Sequence, residues 1–99
     1  MIDKWCIMIV SFADRDTARL FRGERVPRFI AIQMVARRKL AQLHAAATLQ
    51  FLRAPPGNRL EALRGDLSGQ YSMRINDQFR LCFRWLDGDA FDVRIIDHH

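Results

Sequence analysis

An α+β fold is predicted by two apolar periodicities that divide the chain near Arg59, and by the turn residues that punctuate them. Before Arg59 the apolar residues recur every three or four positions, the spacing of a helix face. After it they alternate with polar residues, the spacing of a half-buried strand. With 99 residues, 49% of them apolar, the chain suffices for one globular domain with a modest core but not for two. The expected architecture is a compact domain in which an N-terminal strand and two to three helices pack on an antiparallel sheet.

Met8-Ile9-Val10-Ser11-Phe12 alternates as a short first strand. Met8 is a second candidate start, so residues 1–7 are read as an upstream extension and 8–99 as the domain. Asp14 or Asp16 caps a short helix over Thr17–Arg22 that Gly23 ends. Val26-Pro27 opens a second helix, about Arg28 to Ala45, with Pro27 tolerated in its first turn. Ile32, Val35, Ala36, Leu40 and Leu43 form its buried stripe, and Arg37-Arg38-Lys39 its outer side. His44 near its end reads as a favourable C-terminal charge. Thr48 caps a third helix that Ala54-Pro55-Pro56-Gly57-Asn58 stops.

From Arg59 onward, Leu60-Glu61-Ala62-Leu63-Arg64 leads to a turn at Gly65-Asp66. Three alternating strands then centre on Tyr71–Ile75, Leu81–Trp85 and Phe91–Ile95. Turns fall at Asn76-Asp77-Gln78 and Leu86-Asp87-Gly88-Asp89. A two-residue Asp87-Gly88 turn would oppose Phe83 to Asp92, so a three-residue loop with a bulge near Gly88 is expected. One sheet face is then apolar, and the other carries Ser72, Arg74, Arg80 and Arg84.

No apolar run approaches the roughly 20 residues that span a bilayer, and the first residues lack the apolar region of a secretory signal. A cytoplasmic protein without membrane contact is expected. Cys6 and Cys82 are far apart and have no Cys or His at metal-ligand spacing, so neither a disulfide nor a metal site is expected. The net charge of +5 is uneven, with nine basic and four acidic groups in residues 1–50 and seven of each in 51–99. Such a surface attracts phosphate backbones or acidic partners. Arginine outnumbers lysine fourteen to two, and its planar fork suits bidentate phosphate contact, although codon bias gives the same ratio. A cluster such as Arg37-Arg38-Lys39 is ordinarily a solvated face.

The polar sheet face and the chain's last residues make a chemical set: Arg64, Arg74 and Arg80 with Asp97-His98-His99. Cleaving RNA without a metal requires removing the 2′-hydroxyl proton, stabilising charge on phosphoryl oxygens and protonating the leaving 5′-oxygen. Histidines suit the first and third tasks and arginines the second. No Gly-x-Ser-x-Gly elbow exists, which leaves nucleophilic Ser hydrolysis without its usual setting.

Several ordered blocks resemble the HigB-type toxins of the RelE/ParE superfamily of toxin–antitoxin systems. They are Pro55-Pro56-Gly57-Asn58-Arg59-Leu60-Glu61-Ala62-Leu63-Arg64-Gly65-Asp66, then Gly69 through Phe83, then Trp85-x-Asp87-Gly88-Asp89-Ala90, and the closing Asp97-His98-His99. The likeness runs from about Met8 to His99 and is strongest after Ala54. It implies a RelE/ParE-like domain and an mRNA endoribonuclease acting on translating ribosomes without cofactor or metal. Its implied partners are the 70S ribosome, mRNA and a HigA-like helix-turn-helix antitoxin. By the same resemblance Arg64 stands near the scissile phosphate, Arg80 stabilises its charge, and Asp97, His98 and His99 match a closing Asp-Tyr-His. His98 departs from the usual tyrosine, and the acid and base are not assigned between His98 and His99. Arg74, Asn76 and Arg84, with Arg37, Arg38 and Lys39, complete the expected RNA-binding set. A ParE-like inhibitor of DNA gyrase and a catalytically silent binding module on the same fold are the alternatives.

Overall fold

The computed structural model describes residues 8–67 and 69–97. The proposed extension over residues 1–7 and the two terminal histidines lie outside the described residues. Five strands form one sheet: β1 (Met8–Ile9), β2 (Glu61–Ala62), β3 (Gln70–Arg74), β4 (Phe79–Leu86) and β5 (Asp89–Asp97). Their order is β1-β5-β4-β3-β2, with β1 parallel to β5 and the remaining neighbours antiparallel. Helices α1 (Arg15–Phe21), α2 (Gln33–Ala45) and α3 (Leu49–Arg53) complete the α+β architecture that the two periodicities predict. Among the described residues no helix is long and apolar enough to cross a membrane.

Asp14 caps α1, its Oδ1 accepting from the Thr17 amide at 2.6 Å. Thr17 is itself buried, and its Oγ1 accepts from the Ile95 amide at 3.0 Å. Upstream, Ser11 Oγ accepts from the Asp92 amide at 2.9 Å. Two hydroxyls thus take up β5 donors where the short β1 pairing has ended, and they leave less open edge for a foreign strand.

The second helix differs from the continuous one expected. Pro27–Ile32 is a 3-10 helix, and α-geometry begins at Gln33. The reason is the spacing of the side chains that must be buried. Val26, Phe29 and Ile32 fall three residues apart and all enter the core, which suits three residues per turn. Ile32, Ala36, Leu40 and Leu43 then follow the α-helical stripe, with Val35 half-buried beside them. Across from them, Met73, Leu81, Phe83, Val93 and Ile95 cover the inner sheet face.

The β4–β5 hairpin corrects the expected register. Leu86 pairs with Asp89, so the loop is the two-residue Asp87-Gly88, with φ of 51° and 84° at its two positions. The predicted conflict is relieved elsewhere. Cys82 pairs with Arg94 and Arg84 with Phe91, so Phe83 alone opposes Asp92 and Val93 together. This bulge lies at Asp92, whose φ of 52° is left-handed and accessible to an aspartate. It returns Val93 to the core and leaves Asp92 outside.

Candidate functional site

The sheet face turned away from the helices is built by strand parity. In β4, Arg80, Cys82 and Arg84 alternate with the core residues Leu81, Phe83 and Trp85. Register then aligns two transverse rows. One is Glu61, Ser72, Cys82, Arg94 across β2, β3, β4 and β5; the other is Arg74, Arg80, Ile96. They do not form the open polar face expected. Ser72 and Cys82 are buried beneath a half-enclosed groove of about 240 Å³, lined by Glu61, Leu63, Arg80, Arg94 and Ile96 as well.

Arg80 is the most constrained cation of the groove, with only 13% of its side chain exposed. Its Nε donates to Ser72 Oγ at 3.0 Å and its Nη2 to the Arg59 carbonyl at 3.1 Å. Glu61 Oε1 lies 3.5 Å from the same Nη2, while the Glu61 side chain remains 67% exposed at the rim. Arg59 follows the 3-10 turn Pro56–Asn58 with a left-handed φ of 44°. The guanidinium is therefore fixed from strand, loop and rim at once, and its orientation is set before any ligand arrives.

Other expected site residues divide by what they touch. Arg64 is exposed beside the groove in a cleft shared with Glu61, Ala62 and Leu63, and makes no ion pair among the described residues. Arg74 is paired with Asp77, and Arg84 lies 3.3 Å from Asp92. Asp97 pairs in register with Phe79, and its Oδ2 accepts from Gln78 Nε2 at 3.1 Å. The chain continues from there to His98 and His99, outside the described residues.

Four side chains are committed to the fold itself. Asn76 Oδ1 accepts from the Gln78 and Phe79 amides at 2.9 and 2.7 Å, a side-chain cap on the β3–β4 turn. Arg37 donates to the Leu20 and Glu24 carbonyls at 3.2 and 2.9 Å. Lys39 donates to Asn58 Oδ1; its partial burial, with Arg38 and then Arg74 nearby, holds its pKa below the usual lysine range. Arg38 alone of that cluster is exposed. His44 lies in the last turn of α2, as expected, and is tied into the fold as well: its Nδ1 accepts from the Ile9 amide at 3.3 Å and its ring packs on Phe21.

Glu61, Leu63, Cys82, Arg94 and Ile96 are groove residues that sequence reasoning did not select. Arg94 had a signal, since it alternates with Val93 and Ile95 and so shares the parity of the open face. Glu61 had none, because nothing local announces that a two-residue strand brings it to Arg80. Burial pushes the Cys82 thiol up from its ordinary pKa, while the Arg94 and Arg80 charges pull against that shift. Thiolate is the reactive form, so Cys82 should resist alkylation in the folded protein at pH 8 and react once denatured. Peptide mapping after brief iodoacetamide treatment reads this directly; equal labelling in both states would contradict the buried thiol.

The family model for the RelE-like toxin of the type II toxin–antitoxin system HigB matches residues 10–99. Toxin HigB-1 of Vibrio cholerae serotype O1 is 39% identical over 93 residues, covering 92% of this chain and 98% of its own. Among solved structures, the YoeB dimer of Staphylococcus aureus shares the fold. The TM-score is 0.54 at 19% identity, and the match covers 93% of this chain and 97% of that one.

Proposed function

The chain belongs to the HigB-like family of RelE-like toxins of type II toxin–antitoxin systems, and we propose that it is an endoribonuclease that cuts mRNA on translating ribosomes. The family implies an antitoxin partner; a HigA-like helix-turn-helix protein is the partner proposed. The observation that carries the activity is Arg80, a guanidinium pinned by Ser72, the Arg59 carbonyl and Glu61 in a half-enclosed groove.

The reaction is transfer of phosphorus between two sugar oxygens. The 2′-oxygen bonds to phosphorus as the bond to the 5′-oxygen breaks, leaving a 2′,3′-cyclic phosphate and a 5′-hydroxyl. Arg80 donates to the phosphoryl oxygens as their charge grows, with Arg64 beside it on the neighbouring phosphate. Glu61 is the carboxylate at the groove rim, exposed and 3.5 Å from Arg80, and it accepts the 2′-hydroxyl proton. That leaves His98 or His99, next along the chain from Asp97, to protonate the 5′-oxygen. Each proton transfer is worth typically 10²–10⁴-fold. Arg38, Arg74 and Arg84 supply salt-sensitive backbone contacts. Such an activity is cytoplasmic.

Mapping 5′ ends of cellular mRNA after brief induction should reveal cuts in frame within coding regions. Induced DNA breaks with intact mRNA would overturn the RNase and favour a gyrase inhibitor.

A further inference from the structure

The groove holds an arginine that the phosphate chemistry does not require. Arg94 sits on β5 opposite Cys82, one pleat from the row of Arg80, and is half-buried. Its Nη1 reaches the Asp92 carbonyl at 3.3 Å, and its other guanidinium hydrogens have no partner among the described residues. Arg80 and Arg94 are diagonal neighbours on adjacent antiparallel strands, a spacing of roughly 7–8 Å between the residues and somewhat less between their Cβ atoms. That separation suits contact with two parts of one nucleotide, its phosphate and its base.

The walls say which part faces Arg94. Leu63, Ile96 and the Cys82 thiol present carbon and sulfur, the one hydroxyl, on Ser72, is already taken by Arg80, and the Glu61 carboxylate at the rim repels a phosphate. A phosphate seated there would lose its hydration against apolar walls. A base is the part of RNA that gains from them. At about 240 Å³ the groove also falls below the roughly 300–1,000 Å³ of sites for drug-sized ligands, a size fit for one base.

A guanidinium carries donors only. Guanine offers two adjacent acceptors, N7 and O6, to such a fork, whereas adenine places its N6 amino donor where O6 would be. Resting on the RNase reading above, we propose that the groove between Leu63 and Ile96 is a nucleobase slot in which Arg94 selects guanine. Arg94 thereby sets the base preference of cleavage at a position adjoining the phosphate held by Arg80.

Binding without cleavage tests the slot apart from the activity. Short 2′-O-methyl oligonucleotides carrying a single guanosine or a single adenosine among uridines are titrated into the purified toxin and followed by fluorescence anisotropy. The guanosine form should bind about tenfold more tightly. Arg94→Lys keeps the charge and removes the fork, so it should bind both forms alike, with affinity for the adenosine form retained. Arg94→Gln should also lose the preference, and thermal melts confirm that both variants fold. Equal binding by the wild-type protein, a preference that survives Arg94→Lys, or no saturable binding of any oligonucleotide would overturn the slot. So would a uniform loss of affinity in Arg94→Lys with the preference intact, which marks a phosphate contact. A guanosine preference in a protein whose induction leaves mRNA intact would support the slot and overturn the RNase instead.

Discussion

Arg80→Ala should lower mRNA cleavage by about 10²–10³-fold, the usual cost of removing one preorganised donor from a developing oxyanion. Growth arrest on expression should be relieved while the protein still folds. The loss is catalytic because of where the guanidinium is held. Ser72 Oγ at 3.0 Å and the Arg59 carbonyl at 3.1 Å occupy its inner edge, and Glu61 flanks it. A free arginine would have to be ordered during the reaction; this one is ordered beforehand. Arg80→Lys keeps the charge but has no fork to reach all three partners, so it should recover only part of the rate. Single-turnover cleavage on programmed ribosomes, with thermal melts as the control for folding, separates the cases. Full cleavage by Arg80→Ala would show that the phosphate is held elsewhere.

Asn58→Ala should destabilise the protein by about 2–4 kcal/mol, lowering Tm by roughly 10 °C or more for a domain of this size. Asn58 is fully buried and polar. Its Nδ2 donates to the Leu52 carbonyl at 2.9 Å and to Gln42 Oε1 at 3.1 Å, while Oδ1 accepts from Lys39. The Leu52 carbonyl belongs to the last turn of α3, one of the acceptors a helix end leaves unsatisfied. Alanine would leave that oxygen buried without a partner, remove the Lys39 acceptor and open a cavity. Arg59 follows directly in sequence, and its carbonyl helps to hold Arg80. Cleavage should therefore fall along with stability. A melting temperature equal to the wild type would show that the three partners find water instead.

The elements themselves were legible. Thr48 announced α3 by its cap, Asp14 or Asp16 announced α1 with the structure choosing Asp14, and strict alternation placed β3, β4 and β5. The register was less so. The mismatch of Phe83 with Asp92 was visible in sequence, but a shift at either Gly88 or Asp92 would resolve it. The choice depended on Val93 being pulled into the core against the helices. The place of Arg80 on the sheet face turned from the helices, and of Asp97 at the end of β5, was legible in the alternation of the strands. The resting partners of Lys39, Arg37 and Asn76 were not, because each lies across a gap that no local pattern spans or within a turn whose geometry was not foreseen.

Read alone, the sequence determined the α+β class, the helical stripe, the strand faces and the toxin family, since each is written in local periodicity or in contiguous blocks of residues. Only the tertiary structure decided which basic side chains the fold itself engages. It tied Lys39 to Asn58, 19 positions away, and brought Arg80 to Glu61 and Arg59. It also set Arg94 across Cys82 from Glu61 and Ser72. Hydrogen bonds and ion pairs act over a few ångströms of space whatever the distance along the chain, so a cation's freedom is settled only when the fold has chosen its neighbours.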